Sequence, residues 1–231
     1  MSCIYGILFV VVNYSMYFTG VIKSHNMVRQ ANFVNSSFSD TIGMQGNMGK
    51  VISLFSLYRK TNEEDWELQA ERLLDGIMEK CSIDSPLSYG SGLCGVGVGL
   101  EYLLQNHFIE GNSDEVLSDI DTIIFDEINA RTLSGLNIDN GILGLAYYFY
   151  YRLHYRKESE EGVVLDLKRN VIHLIDWIEE ELRDTFIKSQ YYETFFILTL
   201  LYQLNIFDAK VEKLQNVVTR KLTLEFNNES C

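Results

Sequence analysis

The sequence predicts an all-α protein, an α/α toroid made of 49-residue helix-pair repeats with an inner and an outer ring of helices. Three observations predict it. Glycine pairs recur in fixed register, a mostly apolar segment follows each pair, and an amphipathic segment follows each apolar one. The single proline among 231 residues agrees with this, because proline disrupts the interior of helices.

The glycine pairs define the period. They are Gly43 with Gly46, Gly92 with Gly95, and Gly141 with Gly144, and equivalent glycines lie 49 residues apart. A fixed spacing of this size is typical of stacked supersecondary units. Glycine lets neighbouring backbones approach closely, so we expect each pair to begin an inner helix.

The apolar segments are the predicted inner helices. KVISLFSLY starts at Lys50, LEYLLQNHF at Leu100 and LAYYFYYRL at Leu145. A helix that is apolar on nearly every side must be buried. A fourth segment, SQYYETFFILTLLYQL, arrives one period later with Glu193 in the place of the second glycine.

The amphipathic segments are the predicted outer helices, with apolar residues at helical spacing. Thr61 and Glu64 predict a capping box before the first, and Asn112 and Glu115 are placed to cap the second. On the third, Glu179 and Glu180 are expected to face solvent. The apolar stripes are Trp66, Ala70, Leu73, Leu74, Ile77 and Met78; Val116, Leu117, Ile120, Ile123, Ile124 and Ile128; and Val164, Leu167, Val171, Leu174, Ile175, Ile178 and Leu182. The fourth runs from about Ala209 to Leu224.

Four helix pairs are fewer than a closed toroid requires. We therefore expect an incomplete ring, a ring closed by a partner, or a fragment of a longer chain. An incomplete ring exposes apolar helix flanks, which predicts self-association as a homo-oligomer.

Charge and cysteine content narrow the class of partner and compartment. A net charge of -13 argues against nucleic acid, because binding phosphates requires a basic surface; a cationic peptide would suit the chain better. The four cysteines form no CxxC pair, which favours buried thiols in a reducing, cytoplasmic compartment.

The N-terminal segment, residues 1–36, is predicted as a region separate from the repeat domain, residues 37–231. Residues 3–22 carry no charge, and their length is about the ~20 residues of a membrane span. Polar side chains interrupt the run, and no basic region precedes it. A buried helix and a membrane-associated segment both remain open.

Three phrases resemble the lanthionine synthetase C-like family: DTIGMQGNMGKVISLFSLYRKT, YGSGLCGVGVGLEYLLQN and DNGILGLAYYFYYRL. The resemblance is close from Asp40 to Leu153 and looser to about Leu224. It implies an α/α toroid and a role in the maturation of ribosomally made peptides. Enzymes of this family add a cysteine thiol to a dehydrated serine or threonine and so close a thioether ring. The partners it implies are a precursor peptide or another peptide-maturation enzyme.

The resemblance also implies a zinc ion, held by two cysteines and a histidine, that activates the thiol. The family's ligands lie in a tryptophan-cysteine-tyrosine-glycine phrase and a cysteine-histidine-glycine phrase. Neither is present, since Trp177 is followed by Ile178 and no cysteine adjoins a histidine. No residue of this chain is therefore assigned as a metal ligand. A peptide- or enzyme-binding scaffold without catalysis is the alternative function.

Glu101 and Glu193 are the candidate catalytic residues. Each lies on an otherwise apolar segment, where a buried charge is costly unless it is paired. If they face a cavity, they would act as general acid and base, as carboxylates do in toroid glycosidases. If they are packed, a partner such as Arg152 would hold them.

Other polar residues have both a functional and a structural interpretation. Cys94 is a reactive thiol or a small buried residue. His107 and His154 lack the further ligands of a zinc site. Asp40 and Asp139 are expected to be helix N-caps. The aromatic residues suit peptide binding or a core; they are Tyr147, Tyr148, Phe149, Tyr150, Tyr151, Tyr155, Tyr191 and Tyr192.

Overall fold

A computed structural model describes residues 39–184 and 187–228, and over these residues the chain is all-helical. Its nine helices there are α1 (Asn47–Thr61), α2 (Glu64–Lys80), α3 (Leu93–Gln105), α4 (Ser113–Val116), α5 (Ser118–Ala130), α6 (Ile142–Leu153), α7 (Gly162–Asp184), α8 (Lys188–Tyr202) and α9 (Asp208–Asn228). The all-α prediction is confirmed for this part of the chain. The predicted N-terminal segment, with its uncharged run 3–22, lies outside the described residues.

The described residues form two compact units, which divide after residue 120. In the first unit, α1 packs against both α2 and α3. Helix α3 is buried at every residue from Leu93 to Glu101. The predicted apolar segment LEYLLQNHF, which starts at Leu100, covers only the later part of this helix and extends past its end to Phe108. Helix α2 fully buries only Ala70 and Ile77, so it is a surface helix.

The second unit repeats this arrangement with two complete helix pairs. Helix α6 packs against α7 and α8, α8 packs against α9, and α7 contacts α9. The two apolar helices therefore lie side by side and are backed by two surface helices. All seven apolar residues predicted for the α7 stripe are buried.

Each glycine pair begins an apolar helix, as predicted. Gly92 and Gly141, the first glycines of their pairs, are the N-caps of α3 and α6. In the first repeat the N-cap is the second glycine, Gly46, rather than Gly43. The N–H groups of Met44 and Gln45 donate to the carbonyls of Tyr89 and Gly90 (3.1 and 2.8 Å). They bond to the next repeat, so this turn does not join the helix.

The predicted side-chain caps are mostly wrong. Thr61 is the last residue of α1 and Glu63 is the N-cap of α2, so Thr61 and Glu64 form no capping box. Asp40 and Asp139 do not hold the N-cap positions, which belong to glycines; a loop carbonyl, that of Gly135, accepts from the first N–H of α6 (3.1 Å). Asn112 does cap α4, accepting from the Asp114 N–H (2.9 Å).

A basic side chain recurs between consecutive apolar helices. Arg59, near the end of α1, donates to the carbonyl of Asn106, the C-cap residue of α3. The Arg59 guanidinium also lies over the Phe108 ring. Lys157, just after α6, donates to the carbonyl of Gln203, which ends α8 (2.8 Å). The two cations are 98 residues apart, which is two repeats. Each neutralises carbonyls that a helix C-terminus leaves unpaired.

No helix in the described ranges is both long and apolar enough to cross a membrane.

Candidate functional site

The glycine loops bring backbone segments closer together than any larger residue allows. A Cβ on Gly92 would lie 1.8 Å from the Pro86 carbonyl oxygen, and one on Gly141 would lie 2.2 Å from that of Gly135. Gly95 approaches the preceding repeat in the same way, since its Cβ would lie 2.6 Å from the Met44 nitrogen. These glycines therefore allow the close backbone packing at the starts of the apolar helices.

Glu101 is buried and its carboxylate has side-chain partners. It accepts from the Gln105 amide (2.8 Å) and from the Ser113 hydroxyl. Ser113 is the first residue of α4, so the carboxylate ties the start of α4 to the middle of α3. This geometry supports the packed interpretation of Glu101, with partners other than Arg152.

Glu193 is half-buried and binds backbone. Its carboxylate accepts from the Ile138 N–H (2.7 Å) in the loop before α6. Glu193 is in the repeat position of Gly95 and Gly144. In the fourth repeat a side-chain hydrogen bond to the preceding loop thus replaces the close backbone approach of the glycine.

The cysteines and histidines of the described chain are not grouped. Cys94 is fully buried in the first turn of α3, which supports its interpretation as a packed residue. Cys81 follows α2, and burial raises the pKa of its thiol. His107 is exposed with a φ of 55°, and His154 Nδ1 lies 3.2 Å from the Tyr150 carbonyl. Within 39–184 and 187–228, no three His, Cys, Asp or Glu side chains are placed to hold a metal ion. The described donors therefore do not fit the zinc site that the resemblance implies.

A tyrosine-rich surface extends across the two apolar helices of the second unit. We define the tyrosine face as Tyr147, Tyr150 and Tyr151 of α6 with Phe196 and Gln203 of α8. The Tyr147 ring makes an edge contact with Tyr151 (centroids 5.2 Å apart) and lies 6.2 Å from Phe196. The Tyr150 hydroxyl donates to the Gln203 side chain (3.1 Å).

The tyrosine face is buried at its base and accessible at its edge. Burial raises the pKa of Tyr147 well above its ordinary value, and the neighbouring Tyr151 adds to this. Tyr150, Tyr151 and Phe196 are half-buried and Gln203 is exposed. His154 stacks on Tyr150 with ring centroids 4.8 Å apart, which extends the aromatic surface toward Tyr155.

A buried ion pair in the second unit is the main feature that the sequence did not reveal. The Arg152 guanidinium donates to both carboxylate oxygens of Asp121 (2.6 and 3.2 Å), and the Tyr148 hydroxyl donates to the same carboxylate (2.6 Å). All three side chains are buried. Two features of the sequence could have indicated this pair. Arg152 is the one charged residue in α6, and Asp121 lies next to Ile120 and near Ile124, which are buried apolar residues of α5.

Two shallow grooves lie elsewhere on the surface. One, of about 420 Å³, is on α9 along Glu212, Lys213 and Arg220. The other, of about 260 Å³, lies between α1 and α2 along Lys50 and Arg72. Neither groove contains Glu101 or Glu193, so the acid–base interpretation gains no support from them.

The fold and its sites define a helical-repeat protein. No protein-family model, curated protein or solved structure matches the chain.

Proposed function

We propose that this protein binds an extended peptide on its tyrosine face and acts as a lanthionine synthetase C-like protein in the maturation of a ribosomally made peptide. The observation that carries the proposal is the half-buried aromatic surface formed by α6 and α8. Tyrosine gives a large contact area at a low entropic cost and keeps a polar tip for backbone groups. Both properties suit a ligand of variable sequence.

The proposal includes the α/α-toroid architecture. Its support is that apolar helices pack side by side in each unit. Surface helix α2 packs against α1 in the first unit, and α7 and α9 pack against α6 and α8 in the second. In a toroid the apolar helices would form the inner ring, and the tyrosine face would line the centre.

The role proposed is binding, with no residue assigned to a chemical step. Glu101 and Glu193 are engaged in hydrogen bonds that connect helices and loops, and no zinc-dependent step is assigned to the described residues. The tyrosine face itself offers aromatic rings, two hydroxyl groups near its edge and one amide. These groups recognise a ligand by contact area and hydrogen bonding.

Peptide binding is tested with a defined probe. The probe is a fluorescein-labelled synthetic peptide of serine, threonine and cysteine with interspersed leucine and phenylalanine. Its binding is measured by fluorescence anisotropy. We expect Tyr151→Ala and Phe196→Ala each to weaken binding about tenfold, which corresponds to about 1.4 kcal/mol.

Tyr58→Ala is the matched control. Tyr58 is also a half-buried tyrosine of an apolar helix, but its hydroxyl bonds to Glu67 of the surface helix α2, which raises the tyrosine pKa. Binding by this variant should equal that of the wild type. Equal affinity of all three variants, or no binding by the wild type, would overturn the proposal.

A further inference from the structure

The groove between α1 and α2 presents two cations beside apolar side chains. Lys50 and Leu54 lie on one face of α1, and Gln69, Arg72 and Leu73 lie on one face of α2, because residues three or four positions apart share a helix face. We call these five residues the basic groove, whose volume is about 260 Å³. Leu54 is buried, Lys50 and Leu73 are half-buried, and Gln69 and Arg72 are exposed.

The two cations of the basic groove are not neutralised by the chain itself. Among the residues that the structure describes, neither the Lys50 ammonium nor the Arg72 guanidinium has a hydrogen bond or a salt bridge. Other basic side chains do have acidic partners, since Arg131, Arg152 and Lys210 each pair with a carboxylate. The basic groove therefore keeps two positive charges available to a ligand.

Acidic residues are close in the sequence but do not enter the basic groove. Helix α2 contains six Asp or Glu residues, yet none of the described residues that line the groove is acidic. Asp75 follows Arg72 at a spacing that allows a salt bridge on a helix, and none forms in the described chain. Residues 1–38 contain no Asp or Glu, so they offer no side-chain carboxylate. The groove is thus a local excess of positive charge on a chain of net charge -13.

The groups of the basic groove match those at the C-terminal end of a peptide. There a single Cα carries a carboxylate, an amide nitrogen and a side chain. A guanidinium binds a carboxylate through two parallel N–H groups, and an ammonium adds a point charge. The Gln69 side chain donates and accepts hydrogen bonds, which suits the peptide amide, and Leu54 and Leu73 line the groove with apolar surface. An inorganic anion would use only the cations, and an acidic side chain carries no apolar group beside its carboxylate.

We propose that the basic groove binds the C-terminal carboxylate of a peptide whose last residue is apolar. Pockets that enclose a drug-sized ligand have volumes of about 300–1,000 Å³, so this smaller groove accommodates one terminal residue rather than a long segment. The basic groove belongs to the first unit and the tyrosine face to the second. The proposal therefore does not rest on peptide binding at the tyrosine face.

N-acetyl-leucine is the probe, because it combines the carboxylate, the amide and the apolar side chain in one small molecule. It is titrated into the full chain while the leucine methyl signals are followed by NMR. We expect saturable shifts of the Leu54 and Leu73 signals. N-acetyl-leucine amide, which lacks the charge, should bind about tenfold more weakly, and N-acetyl-glycine, which lacks the apolar side chain, about threefold more weakly.

Substitution of each cation tests its part in binding. Arg72→Gln and Lys50→Met remove one charge each with little change in side-chain length, and each should raise the dissociation constant of N-acetyl-leucine about fivefold. Lys80→Gln is the matched control, since it removes an exposed cation of the same helix α2 outside the groove. That variant should bind like the wild type. All three variants should keep the wild-type melting temperature, because none of these cations has a described partner.

Four results would overturn the proposal. They are the absence of a saturable shift at the two leucines, equal affinity for N-acetyl-leucine and its amide, an equal effect of all three cation variants, and inorganic phosphate that binds the same place as tightly as N-acetyl-leucine. The last result would make the groove a site for simple anions. Tyr151→Ala should bind N-acetyl-leucine like the wild type, so failure of this proposal can be distinguished from failure of the proposed function.

Discussion

Single glycines determine how closely consecutive repeats of this protein pack. Gly95 lies where a Cβ would be 2.0 Å from the Tyr89 carbonyl oxygen and 2.6 Å from the Met44 nitrogen. Both are backbone atoms, which cannot rotate away as the end of a flexible side chain can. The register of the glycines was evident in the sequence. The sequence did not show which backbone atoms the glycines contact, because those atoms belong to loops, which have no regular sequence pattern.

Gly95→Ala should therefore destabilise the protein by about 3 kcal/mol, since the backbone of two repeats has to move apart. Gly76→Ala in α2 is the matched control: nothing lies within 4 Å of its Cβ position, and alanine favours a helix over glycine by about 0.5–1 kcal/mol. Urea unfolding measures both. The prediction fails if the two substitutions change stability in the same direction by similar amounts.

The buried Asp121–Arg152 pair makes a second prediction at the residue scale. Asp121→Leu leaves a guanidinium buried without its counter-ion, which costs about 3–5 kcal/mol. Replacing both residues, as Asp121→Leu with Arg152→Met, should cost less than that single change, because no buried charge remains. A double-mutant cycle by denaturant unfolding tests this, and simple additivity of the two single changes would contradict it.

At the scale of helices, the 49-residue repeat predicted which segments are helical, but it did not predict, to the residue, where each helix begins and ends. The apolar and amphipathic segments of all four repeats correspond to observed helices, because burial imposes a periodicity that the sequence must show. The second amphipathic segment is divided into α4 and α5, which break at Leu117. The caps were predicted from the residue types next to each helix start. In the structure, loop carbonyls and the backbone of a neighbouring repeat accept hydrogen bonds from N–H groups at or just before several helix starts. Such partners are distant in sequence and give no local signal.

Surface helices α7 and α9 are joined by an ion-pair cluster. Glu179, predicted to face solvent, instead accepts from Lys210 (2.8 Å) and Lys213 (3.1 Å), and these hydrogen bonds lower its pKa. Burial alone would lower the pKa of Lys210, but its hydrogen bonds to Asp176 and Glu179 outweigh burial and raise it. The ion pairs between α7 and α9 therefore weaken when acid protonates Glu179.

The sign of the pH dependence follows from the lowered pKa of Glu179. The cluster stabilises the fold fully above the ordinary glutamate value of 4.5, and this contribution is lost as the pH falls through the lower folded-state pKa. Glu179→Gln should cost about 0.5 kcal/mol near neutral pH and almost nothing in strong acid. Glu212→Gln, on the exposed side of α9, is the control. Thermal unfolding across this pH range would contradict the prediction if both variants followed the wild-type profile with a constant offset.

At the scale of the whole molecule, the sequence predicted the all-helical class and the alternation of buried and surface helices. It could not predict which polar residues meet. Asp121 and Arg152 come from two helices whose starts are 24 residues apart, and the packing of these helices depends on the loop between them. The candidate site changed for the same reason. Glu101 and Glu193 are notable in the sequence as charges on apolar helices, but their partners show that they connect elements. The sequence showed that tyrosines are frequent along α6, but it could not show which of them form the tyrosine face and which are buried in the core.

The cations at the C-terminal ends of α1 and α6 bear on how the chain arose and how it can be extended. Phe108 and Ile206 stand one period after Arg59 and Lys157, so basic and hydrophobic residues alternate at this position. A gene that grew by copying single helix pairs would not produce such alternation without later substitutions, whereas copying two pairs at once would. Anyone lengthening this protein should therefore duplicate it in blocks of two helix pairs, so that every added block retains both members of the alternation.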